Sequence, residues 1–463
     1  MTHTNESTLF QTLVHDYQAM YPTSKDAHMR ARNVLISGIS HGARTFEPYP
    51  FRIAKAQGAY VTALDGHEIL DFWQGHYANI LGHNPDLIRN ALIQDLQAGY
   101  GLQTGFPDER QTAFARLLAQ TLDAERVRLT TSGTLATMYA IMLARAFTGR
   151  QLVVKIGGGW HGANPLALKG VHRTPSGFDQ VDSTGVPVTT EQEILITRFN
   201  DVEGLRALFE AQGERIACFI FEPCPGSSGF IPASAEFMRA ARTLTQQYGA
   251  LLILDEVITG FRYCASGVQR LYGVKADLTT LGKVIGGGMP VAAVAGRADV
   301  MALAGEEAAE RVWFNGGTYS GHPLSLLAGQ VMVEHLVTHE AEIYPALAAY
   351  GERLRCGIEK VFADRGILAR CTGHPNGAIK GSSLFGVYFP RRDDLQPTTP
   401  EDISDPALCD VRLRDREFKL GLLLHGVNLA HGRGAVATAH TEAHLERVLE
   451  ACDAFAKRYL ASR

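Results

Sequence analysis

The chain has 463 residues, 46% of them hydrophobic and 20% charged, enough for about two or three packed units with large cores. A formal net charge of −4 excludes a global field favouring nucleic acid or an anionic membrane, so the expected partners are small molecules and further copies of the chain. Seven scattered cysteines, an odd number with no Cys-x-x-Cys pair, argue against a disulfide framework and for a reducing compartment.

Residues 1–40 predict an amphipathic helical arm, with Leu9, Leu13 and Tyr17 at helical spacing. The opening Met-Thr-His-Thr-Asn-Glu lacks the basic and apolar regions of a signal peptide. No apolar run reaches the roughly 20 residues that span a bilayer. The expected location is the cytoplasm. Arg52 to His67 alternates and turns at Asp65-Gly66, the pattern of a hairpin. Helices are expected over 85–98, 109–122, 134–147, 202–211 and 234–248. Strands are expected over 126–131, 151–156, 193–199, 216–221, 251–255 and 291–295. Gly157 to Pro187 is glycine-rich and weakly periodic, the mark of a long functional loop. Helix signals run over 323–363 and 442–459, with a strand near 384–389. Arg391 to Asp405 is polar and proline-rich and reads as an exposed loop.

Strands alternating with helices imply parallel pairing through right-handed crossovers. The expected fold class is α/β: a three-layer α/β/α sandwich with a mostly parallel sheet, plus a smaller α/β domain from the N- and C-terminal segments. The expected division is an arm and part of the small domain over 1–75, a large domain over 76–325 and a C-terminal small domain over 326–463.

Chemistry concentrates at two motifs. Asp277 to Pro290 reads Asp-Leu-Thr-Thr-Leu-Gly-Lys-Val-Ile-Gly-Gly-Gly-Met-Pro. A lysine after a buried strand is desolvated, which lowers its pKa and exposes a nucleophilic amine. Lys283 can therefore condense with a carbonyl compound such as pyridoxal phosphate. The apolar run Ala250 to Leu254 closes on Asp255. A carboxylate there needs a cation to meet it, and a protonated pyridine nitrogen is one.

Asp-Glu-Val-Ile-Thr-Gly-Phe-Arg (255–262) and Leu-Gly-Lys-Val-Ile-Gly-Gly-Gly-Met-Pro (281–290) closely resemble class III aminotransferases, most of all the glutamate-1-semialdehyde aminomutase group. The likeness runs from about Arg44 to near Lys457. It implies the pyridoxal-phosphate transferase fold of type I, pyridoxal 5'-phosphate as cofactor, Lys283 and Asp255 as catalytic residues, and no metal. It implies that Ser132, Gly133 and Thr134, where a strand meets a helix, bind the phosphate. Leu135 stands where the family usually has an acid. Trp160-His161-Gly162 resembles the family's aromatic-His-Gly, with the ring stacked on the pyridine face. Glu222, Val257 and Ser227 are implied to line the cofactor site. Thr318, in Gly-Gly-Thr-Tyr-Ser-Gly-His-Pro, resembles the threonine that reaches the neighbouring subunit's phosphate. That implies a homodimer with shared active sites.

The pattern Gly-Val-Asn-Leu-x-x-Gly-Arg-Gly (426–434), with His76 near the entrance, resembles aminotransferases for D-phenylglycine and β-phenylalanine. It implies substrate contacts from Arg44, His76 and Arg433, the arginines gripping a carboxylate. The expected activity transfers an amino group between a carboxylate-bearing amino acid, with an aryl or similarly bulky group, and a 2-oxo acid. One alternative is a glutamate-1-semialdehyde 2,1-aminomutase or related isomerase. Against it, Gln74-Gly75-His76 replaces the Ser-Trp-Gly of that group, and no glutamate stands just before Ala430-His431. A second is a non-catalytic cofactor-binding paralogue, which the retained Lys283 and Asp255 oppose. A nucleotide-binding dehydrogenase is disfavoured, because no Gly-x-Gly-x-x-Gly follows a first strand.

Overall fold

The computed structural model describes residues 7–463. The N-terminal arm forms two helices, Thr8–Met20 and Pro22–Arg32; the part of the expected arm over residues 1–6 lies outside the described residues. Ser7 caps the first helix by accepting from the Phe10 amide. Leu9, Phe10, Leu13 and Tyr17 form its buried stripe. They pack with Tyr49, Val61, Ile69, Leu420 and Leu423, so the arm joins the two ends of the chain.

The hairpin expected over 52–67 is a three-stranded meander instead: β1 (Ile53–Gln57), β2 (Tyr60–Ala63) and β3 (Glu68–Asp71). Asp65-Gly66 makes the second turn. The first is made at Gly58, at φ +57, where glycine is free of Cβ strain.

The main sheet holds β4 (Arg126–Thr130), β5 (Leu152–Ile156), β6 (Ile194–Thr197), β7 (Ile216–Phe221), β8 (Leu251–Asp255), β9 (Leu278–Leu281) and β10 (Ala292–Gly296). Their spatial order is β4-β10-β9-β8-β7-β5-β6. All neighbouring pairs are parallel except those of β10, which runs antiparallel to β4 and β9. The link from β9 to β10 carries only a short 3-10 turn, too little chain for a parallel return. Side chains alternate between the faces. Val153, Cys218, Ile220 and Ile253 pack with Ala140, Ile141 and Ala144 of helix Gly133–Thr148. Val154, Phe219, Leu252 and Leu254 pack under helices Val202–Gln212 and Ala235–Gln247. Both faces are covered, which is why these strands are apolar throughout.

Beyond the sheet come helices Pro323–Thr338 and Glu340–Ala363. A smaller sheet joins β11 (Arg370–Thr372), β12 (Leu384–Tyr388) and β14 (Arg433–Ala435), while β13 (Val427–Asn428) adds to β3 in parallel. The three-residue β11 and β14 are too short to leave a periodic signal. Part of the loop expected over 391–405 is structured instead: Pro400–Ser404 is a helical turn closed by a Thr399–Asp402 capping box. Its Ile403 is buried among Phe221, Phe237 and Tyr388. Among the described residues no helix is long and apolar enough to cross a membrane.

Candidate active site

The carboxyl ends of the parallel strands open on one edge of the sheet, where such folds gather their ligands. Five segments leave from there. They carry Ser132 to Thr134 after β4, Gly157 to Gly162 after β5, Glu222 to Ser227 after β7, Asp255 to Val257 after β8, and Lys283 after β9.

Asp255 is buried, and its oxygens are aimed by three donors. Thr280 Oγ1 and the Val257 amide donate to Oδ1, at 3.0 and 3.1 Å. His161 Nδ1 lies 2.7 Å from Oδ2. Thr280 is within reach because it is Asp255's register partner on β9. Burial lowers the His161 pKa and Asp255 opposes that shift. His161 thus acts on Asp255; its Nε2 is buried without a partner.

Lys283 follows β9 at φ +50, a left-handed conformation that costs a non-glycine residue about 1–2 kcal/mol and gathers at functional sites. Burial lowers its pKa, opposed by the charges of Asp255 and Glu222. Glu222 is itself pushed up to about 7, by burial first and by Asp255 second. Its oxygens accept from the amides of Trp160 and Gly226, each at 2.9 Å. A buried amine within the influence of two buried carboxylates can serve proton transfer.

Ser132 caps helix Gly133–Thr148 by accepting from the Leu135 amide. The Gly133 and Thr134 amides, the first two of that helix, take no hydrogen-bond acceptor among the described residues. A Cβ on Gly133 would lie 2.8 Å from Val257 Cγ1, and one on Gly162 would strike Thr134. Helix start, Val257 and the 157–162 loop therefore meet at backbone distance, and the amides offer an anion cradle.

Trp160 is half-buried beside Glu222. Its loop is tied down by Lys155, a wholly buried lysine whose ammonium donates to the carbonyls of Gly159, Ala167 and Lys169 at 2.8–3.0 Å. The Ser227 hydroxyl, expected to face the cofactor, donates instead to Gly158 O at 2.8 Å. In this structure it holds the loop and is not free to reach a ring.

His76 sits in a run of four residues, Gln74 to Tyr77, all at φ between +46 and +69. Asp71 holds the start of this left-handed turn through the amides of Trp73 and Gln74, and buried Arg262 holds its end through Tyr77 O. His76 packs on His41, with ring centroids 4.8 Å apart. Burial, then the charges of His41, Arg44 and Lys283, lowers its pKa to about 3, so the imidazole is neutral. Arg44 is exposed, and among the described residues its side chain makes one long hydrogen bond, to Ser40. Arg433 reaches the Gly226–Ser227 turn and donates to both carbonyls. Thr318 is exposed, and its carbonyl accepts from Thr104 Oγ1.

Sequence reasoning missed His41, Lys155 and Thr280. Lys155 was legible as a lone cation within an apolar strand. Thr280 and His41 carry no signal without the strand register or the loop's path.

Residues 41–369 match the family model of the aminotransferase class-III family. The chain belongs to the class III aminotransferases. That family is pyridoxal-phosphate-dependent, and Lys283, Asp255 and the helix cradle fit the cofactor. The chain is 35% identical to glutamate-1-semialdehyde 2,1-aminomutase of Methanopyrus kandleri, covering 94% of this chain and 97% of the relative. It is 37% identical to that of Laribacter hongkongensis, covering 92% and 98%. Among solved structures it resembles a β-phenylalanine aminotransferase from Variovorax paradoxus, at TM-score 0.85 and 30% identity over 98% of each chain. It also resembles an omega-transaminase from Sphaerobacter thermophilus, at TM-score 0.83 and 31% identity over 95% and 98%.

Proposed function

We propose that this class III enzyme is an aminotransferase moving an amino group between a carboxylate-bearing amino acid and a 2-oxo acid. The observation that supports it most is the meeting of a desolvated Lys283, a buried and aimed Asp255, and two free helix-start amides at one sheet edge. When bound, pyridoxal phosphate supplies an aldehyde carbon and an electron-withdrawing ring. The Gly133 and Thr134 amides would hold its phosphate, and the Asp255 carboxylate would keep the ring nitrogen protonated. His161 and Thr280 hold that carboxylate in line. Trp160 would stack on the ring and, with Val257 beside the helix start, would exclude water from the site. Lys283 Nζ, its pKa lowered by burial against the charges of Asp255 and Glu222, would carry a proton from the substrate carbon to the cofactor carbon.

Arg44 and Arg433 would provide the carboxylate grip, with neutral His76 within the influence of both Arg44 and Lys283. Arg433 here donates to uncharged carbonyls, which a substrate carboxylate outcompetes because charge-assisted bonds are stronger. Arg433→Ala is expected to cost about 2–4 kcal/mol of amino-acid binding, read as a steep rise in KM. For 1-phenylethylamine, which has no carboxylate, the rise is far smaller. Equal losses on both substrates, or none on either, remove the grip.

The surroundings of Thr318 support a dimer. Leu102, Phe106, Trp313 and Tyr319 are all more than 60% exposed, and the Thr104–Thr318 bond joins their two segments. A patch of this kind marks an interface, here a homodimer in which each Thr318 serves the partner's site. Sedimentation of the cofactor-loaded protein is expected to give a dimer; monomer alone contradicts it.

The names of the curated relatives favour a second reading, glutamate-1-semialdehyde 2,1-aminomutase. Conversion of glutamate-1-semialdehyde to 5-aminolevulinate by the purified protein decides for it.

A further inference from the structure

Helix Glu340–Ala363 carries Glu352, Cys356 and Glu359 at i, i+4 and i+7, so one of its faces presents two carboxylates and a thiol. Strand β11 packs along this helix. The chain leaves it through Gly373, at φ +94, and brings His374 onto the same face. One donor atom each from Glu352, Cys356 and His374 lies within 4.8 Å of the other two. His374 Nδ1 is 2.9 Å from Glu352 Oε1, and Cys356 Sγ is 3.5 Å from that oxygen. Sulfur and oxygen ligands on a tetrahedral zinc, with bonds of about 2.3 and 2.0 Å, stand about 3.5 Å apart. Nitrogen and oxygen ligands stand about 3.3 Å apart, so the imidazole and carboxylate need to part by about 0.4 Å.

The groups around the three donors hold them as outer partners hold the ligands of a metal. Arg355, wholly buried, donates to Glu352 Oε2 from Nη2 at 2.8 Å and from Nε at 3.3 Å, which leaves Oε1 for Cys356 and His374. The far imidazole nitrogen, Nε2, lies 3.1 Å from Glu359 Oε1, and that oxygen accepts from the Cys371 amide at 2.7 Å. A carboxylate on the far nitrogen fixes the tautomer and makes the near one a better ligand. Imidazole and thiolate select a transition ion such as zinc over magnesium or calcium, which take oxygen ligands. Cys356 is exposed and Glu352 and His374 are half-buried, so an ion has a path in and water can fill its fourth position. An ion pair alone accounts for His374 between the two glutamates. It leaves unexplained the sulfur standing at tetrahedral spacing from the same oxygen.

We infer that Glu352, Cys356 and His374 form a site for a zinc-like divalent transition ion, which clips helix Glu340–Ala363 to the segment after β11. On binding, the Cys356 thiol and the His374 Nδ1 position give up their protons to solvent and the ion takes their place. The site does not depend on the aminotransferase reading, and its test reads no turnover. Equilibrium dialysis of the cofactor-loaded, thiol-reduced protein against zinc chloride is expected to give one zinc per chain that excess magnesium does not displace. Cys356→Ser and His374→Gln are each expected to weaken zinc binding at least about tenfold. Cobalt(II) in place of zinc is expected to add a thiolate-to-metal charge-transfer band to the difference spectrum, and Cys356→Ser to lose it. Zinc is expected to raise the melting temperature of the wild type and not that of Cys356→Ser. Zinc binding that is absent from the wild type, or equal in the wild type and both variants, overturns the site. Cobalt binding without the thiolate band removes Cys356 from it and overturns the proposal, and displacement of zinc by magnesium overturns the choice of ion.

Discussion

Lys283→Ala is expected to abolish turnover, lowering kcat by at least about 10³-fold, the upper range of what a positioned acid–base group supplies. The near-visible absorbance that depends on the lysine's covalent link to the cofactor is lost with it. The cause is the position of the amine: it follows β9 at a left-handed φ and lies within the influence of both Asp255 and Glu222. The other lysine near this edge of the sheet among the described residues, Lys155, has its ammonium held by three carbonyls. Added methylamine is expected to restore a small part of the rate, because it replaces the proton carrier and not the fold. Wild-type turnover in the variant would make the mechanism wrong.

Asp255→Asn is expected to have the next largest effect. Removing one charge of a buried pair costs about 3–5 kcal/mol, here read as a kcat about 10²- to 10⁴-fold lower. Asparagine can still accept from Thr280 and the Val257 amide, so the backbone stays in place while the ring nitrogen loses its counter-charge. Steady-state kinetics with a melting curve separates the two effects. A variant that keeps its rate but melts below the wild type shows that Asp255 is only structural. The pH dependence has a definite sign. The Glu222 pKa is raised to about 7, above its ordinary value, so burial disfavours its charged form. The stability penalty is absent at low pH and grows as pH rises from the unfolded carboxyl range towards 7.

Much of the fold was legible because its signals are local. The apolar runs of β7 and β8 end where the residue patterns end, and the Ser7, Ser132 and Ser234 caps mark helix starts. The direction of β10 was not legible from the alternation of elements, since nothing in Ala292–Gly296 records that no helix precedes it. Gly58 was read as part of a strand, because one glycine in an alternating stretch fits a bulge as readily as a turn. The packed turn at Pro400 was hidden by composition: Thr399, Pro400 and Asp402 look like loop residues until Ile403 finds its core. At the site, Lys283 and Asp255 stand inside long motifs. The donors that aim Asp255 come from another strand and a distant loop, and only the register brings them together. Ser227 shows the reverse case, a residue placed by motif whose hydroxyl turns to Gly158.

The most direct measurement is the donor half-reaction. The cofactor-loaded enzyme is mixed with a single equivalent of an aryl β- or D-amino acid, with no acceptor present, and its near-visible spectrum is followed while the released oxo acid is quantified. An aminotransferase bleaches the band and releases one oxo acid per site, and a 2-oxo acid then restores the band. An unchanged spectrum with every amino-acid donor, together with 5-aminolevulinate formed from glutamate-1-semialdehyde, would contradict the account.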